Sequence, residues 1–446
     1  MKYIFILICL FIGLLILRSK GINRLTWLII GILFTYNDIV IINTPYITSH
    51  QLYLISFVGS LILHKEMKEE FKSFPFKKIT FIILIILCCI GFLDLRINLA
   101  SKIARIFYYF LSYFTLFIGF SAIKNLNEWN IIQKKSRIYF LFIGIFGLLT
   151  WILQQNPYYD IVTSTFRIDN EVGIWSEVQD RGYRVVSTIG NPIVYGFLMG
   201  TMLLHFLKVF QNKKNTFYIL CGIVLLSNLI LANSRTGIVA LGLCILLFLL
   251  LIYKLSIRFL MYIIGGVICI IGIYICIPTI QPILDSVIDI ALTGGEKTVG
   301  SNMDTKVQQQ ETALLFFYNA PFFGNGFSYF NEVIKTGHIY SYNNELAGME
   351  GFGYMLLVEQ GIFMIIANIA FFTQLLLFFW KKRKRYSIAN LFISTLISFL
   401  FFILLAGTYG NVMTYYFLYF GLCIKYLLLK EKQYTTYNHL FTVRPQ

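Results

Sequence analysis

Apolar runs of roughly 16–25 residues recur from one end of this chain to the other, each long enough to cross the hydrocarbon core of a bilayer. They fall at about 3–17, 25–42, 51–63, 79–93, 103–122, 138–153, 193–207, 216–232, 237–253, 259–280, 353–379, 387–406 and 411–429. A soluble domain cannot bury that much apolar surface, and the bulk figures agree: 58% of residues are hydrophobic and only 13% are charged, with a mean hydropathy of +0.73. The expected fold is all-α, a polytopic transmembrane helical bundle of about 12–13 spans, organised as one integral membrane domain over 1–446. The first run, from Tyr3 to Leu17, is followed by RSKGINR rather than by a small-residue cleavage site. It is therefore expected to be a span and not a removable leader.

The polar linkers alternate in charge. RSKGINR, HKEMKEEFKSFPFKK, KNLNEWNIIQKKSR, KVFQNKK, KLSIR, KKRKR and the tail from Lys425 carry 26 of the 37 lysines and arginines. Cations gather in the cytoplasmic loops of membrane proteins, so this set and the C-terminus are expected inside. The opposite set contains the two long loops, 154–191 and 281–352, which hold 13 of the 21 acidic residues. Loops of that length usually fold over a site, and the second contains a helix-like run from Asp304 to Asn319. The net charge of +16 is thus explained by topology and does not call for a nucleic-acid partner. All eight cysteines lie inside apolar runs, away from any oxidising loop, and their spacing fits no metal site.

Several features on the outer side can carry chemistry. RGYRVVSTIGNPIVYG sets Arg181 and Arg184 at the mouth of the span beginning near Ile193, where Asn191 and Pro192 supply a helix start. An arginine beside a helix N-terminus suits a phosphate, because its guanidinium binds two oxygens and the helix end adds free N–H donors. An interfacial contact with lipid headgroups is the competing use. NSRTG puts Arg235 in a short turn between two apolar spans, and a cation at that depth points to an anion. YNAPFFGNGF, Tyr318 to Phe327, forms a compact turn after the helix-like run. MEGFGYMLLVEQG sets Glu350 at the next span's mouth and Glu359 about two and a half turns further down. A buried Glu359 is either paired to a neighbouring helix or functional. His338 is the only histidine in either long loop, and Arg105 is a further candidate phosphate contact unless it snorkels to the interface. Asp94 and Arg96 read as an ordinary loop pair.

Taken in order, these patterns resemble the Wzy polymerase and O-antigen ligase superfamily of bacterial envelope enzymes. Arg184 with Gly190, Asn191 and Pro192 matches its first pattern, and Ser234, Arg235 and Thr236 its second. Pro321, Gly324 and Gly326 match the third, and Glu350 with Glu359 and Gly361 the fourth. The resemblance spans about 180–365 and implies glycosyl transfer from a polyprenyl-diphosphate-linked glycan at the outer face of the plasma membrane, with neither a metal nor a cofactor. It implies that Arg184 and Arg235 grip the diphosphate, with Arg181, Lys306 and Arg105 as further contacts. A carboxylate or histidine would deprotonate the acceptor hydroxyl: Glu350 first, with Asp304 and His338 in reserve.

Two departures shape the expectation. Lys306 stands where the family pattern has an arginine, giving a point charge without the fork. Glu350–Gly351 stands where ligases of the family carry a histidine, which favours the polymerase branch. The partners expected are therefore the bilayer, a lipid-linked glycan as both donor and acceptor, and a candidate chain-length regulator. A ligase of the same fold and a flippase or transporter are the alternatives. Against the transporter, the ionisable residues cluster in outer loops and not along a path through the spans.

Overall fold

The computed structural model describes residues 1–37, 39–43, 46–166, 177–178, 182–212, 216–276, 281–293, 303–330, 351–407 and 411–442. Within them the chain is an all-α polytopic bundle of seventeen helices. These are α1 (Lys2–Arg18), α2 (Gly21–Phe34), α3 (Ser49–Leu63), α4 (Met67–Ser73), α5 (Lys77–Leu93), α6 (Leu99–Ser121), α7 (Leu126–Leu153), α8 (Pro157–Phe166) and α9 (Pro192–Asn212). There follow α10 (Thr216–Leu231), α11 (Arg235–Tyr253), α12 (Ile257–Cys276), α13 (Gln281–Thr293), α14 (Met303–Phe317), α15 (Phe352–Lys382), α16 (Ile388–Ala406) and α17 (Val412–Thr442). Among the described residues six helices are long and apolar enough to cross a membrane, or seven if the sharply bent pair α4 and α5 counts as one span. Several others are apolar but shorter, among them α2, α3 and the N-terminal parts of α9 and α12.

Several helix ends differ from the sequence expectation, and two of them have a clear local cause. The helix expected over 25–42 stops at Phe34, and residues Val40–Asn43 pair antiparallel with Tyr46–Thr48 as a short hairpin. Thr48 then caps α3 in a reciprocal capping box with Gln51. The helix expected over 138–153 begins instead at Leu126. Asn125 accepts the Glu128 N–H, and Glu128 reaches back to the Lys124 N–H. That cap nucleates a polar first turn which hydropathy alone could not reveal.

α6 and α17 cross so closely that a Cβ on Gly119 would strike the Leu418 carbonyl, and one on Gly421 the Leu116 carbonyl. With no hydrophobic drive between helices in lipid, backbone approach at small residues provides the packing. Four of the expected inside linkers and the C-terminal tail meet at one end of the bundle. Arg24, fully buried, pairs with Glu66 at 2.9 Å and lies over the Phe57 ring, while Lys124 pairs with the same carboxylate. Lys425 pairs with Glu70 at 2.7 Å. Burial pushes the Glu66 carboxyl up, but the Lys124 and Arg24 hydrogen bonds and charges outweigh it and leave the group below its ordinary value. The opposite end carries the candidate site.

Candidate functional site

The site is built on two helix starts. Asn191 accepts the backbone N–H groups of Ile193 and Val194 at 3.0 and 3.1 Å, capping α9. Ser234 accepts the Gly237 N–H at 3.1 Å and caps α11, so that Arg235 is its first residue. The two starts are held together at small residues, since a Cβ on Gly196 would sit 3.2 Å from the Cβ atoms of Ala232 and Ser234. The reversal between α10 and α11 requires Asn233 at φ +46°, a left-handed conformation that asparagine tolerates.

Arg184 is drawn to the same place. Its neighbour Val185 donates its N–H to the Leu231 carbonyl at 3.1 Å, and the Arg184 Nε donates to the Ala232 carbonyl at 3.3 Å. The segment behind it is threaded into the bundle: Ser187 donates to the Ile143 carbonyl, and Thr188 to that of Leu33. Only 2% of Arg184 is exposed. Burial also pushes the adjacent Tyr183 phenol up.

Lys306 reaches this end from α14. Ser398 donates to the Ala240 carbonyl, and Cys244 lies 3.9 Å from the Thr395 hydroxyl, which fixes α11 and α16 as antiparallel. Continuing that register sets Arg235 level with Ile403–Leu404. The Lys306 amine donates to the Leu405 carbonyl at 3.1 Å, and Gly351 lies against the Leu404 carbonyl. Three cations expected to bind a diphosphate, Arg184, Arg235 and Lys306, therefore gather near the start of α11 and the end of α16. A cation at a helix C-terminus also complements its dipole. Asp304 lies in the first turn of α14, two residues before Lys306. Arg181, His338 and Glu350 lie outside the described residues.

The glycine loop after α14 docks on an interruption in α15. Gly361 has φ +73° and ψ −175°, which breaks that helix. Four of the freed groups are taken up by the loop: the N–H of Asn325 donates to the Val358 carbonyl at 2.8 Å and that of Gly326 to the Glu359 carbonyl at 3.0 Å. In return the Ile362 N–H donates to Pro321 and the Phe363 N–H to Phe322. Non-helical backbone is tolerated in such a setting only when it is satisfied in this way. Gly324 and Gly326 both have positive φ, and a Cβ on either would collide, with the Glu359 backbone and the Asp94 carboxylate respectively.

Sequence reasoning missed the anchor of this loop. Asp94 and Arg96 do pair, through two parallel hydrogen bonds of 3.0 and 2.8 Å, but they do so beneath Gly326 and with Arg96 over the Tyr329 ring. Arg105 donates to the Phe327 carbonyl, and Tyr109 stacks on the Phe327 ring at 4.7 Å. Glu359 is buried, receives the Tyr109 hydroxyl at 3.4 Å, and accepts backbone N–H groups from Ser328 and Phe330. It is paired to its surroundings, the structural alternative read from the sequence. The one available signal was the apolar context of Glu359 and Arg105, which demands partners without naming them.

This geometry coincides with a match to a family model. Residues 220–362 match the O-antigen ligase family model. The match begins in α10 and ends just past the break at Gly361, so it takes in the Arg235 turn, Lys306 and the docked glycine loop. The superfamily resemblance drawn from the motifs holds over that stretch. The O-antigen ligase family groups membrane proteins of the ligase and polymerase type, in keeping with the multi-pass bundle. No curated protein matches the chain.

Proposed function

We propose that the protein is a membrane glycosyltransferase that polymerises polyprenyl-diphosphate-linked oligosaccharide units into surface polysaccharide on the outer face of the bacterial plasma membrane. The observation that carries this reading is the gathering of Arg184, Arg235 and Lys306 at one end of the bundle, beside the segments that lead into the acidic loop. In the reaction, the bond between the reducing-end sugar of the growing chain and its diphosphate breaks. A new glycosidic bond forms to a hydroxyl at the non-reducing end of an incoming unit. Charge grows on the departing diphosphate, where fixed guanidinium and ammonium groups stabilise the transition state more than the ground state. Arg184 and Arg235 hold the diphosphate, and Lys306 adds a point charge; Arg181 is a further contact, and Arg105 supports the site through the Phe327 carbonyl. Glu350 takes the proton of the acceptor hydroxyl, with Asp304 and His338 as the alternative bases.

A ligase of the same fold is the second reading, and the description of the matched family favours it. The two differ in the glycans of a deletion strain, resolved into lipid-linked and cell-attached fractions. Single repeat units without a ladder support the polymerase. Full-length chains stranded on polyprenyl diphosphate support the ligase and overturn the polymerase reading.

A further inference from the structure

Away from the proposed catalytic end, a cavity of about 380 Å³ lies among α2, α7, α9, α16 and α17. Protein interiors pack closely, with few voids much larger than a water molecule, so a space of this size is unusual and large enough to admit a ligand group. Its deep part is apolar, lined by Ile32, Leu33, Phe140 and Leu198. Its other end is polar, lined by Asn130, Gln133, Ser136, Arg137 and Ser387. Small-molecule sites combine the same two elements, a largely apolar lining and a few placed polar groups.

Arg137 distinguishes this cavity from a packing fault. Arg24, Lys124, Lys382 and Lys425 at the same end of the bundle each pair with a carboxylate. Arg137, among the described residues, has none. It makes two long contacts, 3.5 Å to the Tyr218 hydroxyl and 3.4 Å to Gln133, and lies beside the Tyr218 ring. Its charge is close enough to act on His205, a cavity-lining residue bonded to the Tyr419 hydroxyl at 2.8 Å. A guanidinium offers five donors, and most of them are left for a ligand.

We propose that this cavity binds one anionic membrane lipid, its phosphate held by Arg137 and the start of its hydrocarbon chain inserted between α2, α9 and α17. The cation-rich linkers at this end assign the lipid to the cytoplasmic leaflet. A glycerophospholipid and a polyprenyl phosphate share the required chemistry, and the test separates them by mass. The site is remote from the arginine cluster and does not depend on the proposed reaction.

The experiment is native mass spectrometry of the full chain, purified in mild detergent, with the retained lipid identified after release. The wild type should hold one anionic lipid per chain. Arg137→Ala should reduce that occupancy at least tenfold, and Arg137→Lys should restore part of it. Met202→Phe, which narrows the cavity and leaves the cation intact, should also displace the lipid. Retention of a glycerophospholipid or of a polyprenyl phosphate supports the proposal and names the source. It is overturned if the wild type carries no anionic lipid, if both Arg137→Ala and Met202→Phe retain it as the wild type does, or if thermal stability responds to inorganic phosphate and not to the released lipid.

Discussion

The backbone N–H of Gly326 donates to the Glu359 carbonyl across 3.0 Å, so the glycine loop and the broken helix hold each other in place. Each supplies what the other lacks. The loop has unpaired donors, and the interruption at Gly361 leaves carbonyls that an unbroken helix would have used. Rigid placement of this loop follows from pairing and not from the loop's own composition.

Gly326→Ala therefore destabilises the protein strongly. The residue sits at φ +98°, and an added methyl would strike the Asp94 carboxylate. Backbone strain and overpacking together cost about 2–6 kcal/mol. Thermal unfolding in detergent should show a clear fall in midpoint; an unchanged midpoint would mean that the loop is not held as described.

Glu359→Ala should release the loop while sparing the bundle. It leaves the Tyr109 hydroxyl and the Ser328 and Phe330 N–H groups without their acceptor, each worth about 1–3 kcal/mol when buried. Limited proteolysis should then cut near 318–330, with the remaining helices still protected. Equal protection in variant and wild type would count against this role.

Arg235→Ala and Arg184→Ala should both lose transfer activity, by at least about 100-fold if each stabilises the leaving group. Their stabilities should differ. Arg184 is buried and bonded to the Ala232 carbonyl, whereas Arg235 is half-buried. Arg184→Ala thus costs about 1–3 kcal/mol in folding, and the less buried Arg235→Ala costs less. Glycan ladders at matched protein level check the first statement, and unfolding midpoints the second. Normal ladders in both variants would remove these residues from the site.

Acid should weaken the opposite end of the bundle. The folded-state carboxyl of Glu66 lies below its ordinary value, so the unfolded chain binds the proton more readily. Its contribution is complete above the unfolded pKa of about 4.3 and is lost as pH falls through the lower folded value. Glu66→Gln should remove that part of the acid slope. It should also cost about 2–3 kcal/mol at neutral pH, less than the roughly 3–5 kcal/mol of a fully buried pair because Arg24 keeps Ser60 and the Phe57 ring. Stability measured against pH in both proteins decides it, and identical curves would exclude the effect.

What the sequence disclosed was local. Asn191–Pro192 announces a helix start because a cap is made by residues two or three apart, and that cap forms; Arg235, expected in a turn, is instead the first residue of a helix capped by Ser234. The contacts of Phe327 with Arg96 and Arg105 join residues 231 and 222 positions apart. No motif or periodicity encodes such a pairing, so Asp94 and Arg96 looked like an isolated loop pair. The span expected at 25–42 failed for a related reason. Ile39 to Ile42 is as apolar as a helix segment, and β-branched residues suit a strand equally well. Lys306 illustrates the intermediate case: its charge was legible, but its position beside Leu405 depends on how α14 folds back.

The interruption at Gly361 has a mechanical consequence. A continuous rod of 31 residues would transmit any force on its outer tip through the whole membrane thickness. Here the rod is jointed. The portion after Gly361 is moored by the Tyr113 hydroxyl on Asn368 and by the Lys382–Glu431 pair, while the portion before it is bonded to the glycine loop. The two lengths of this helix are therefore fixed by different partners, and a shift in one is not passed straight down a rigid rod to the other.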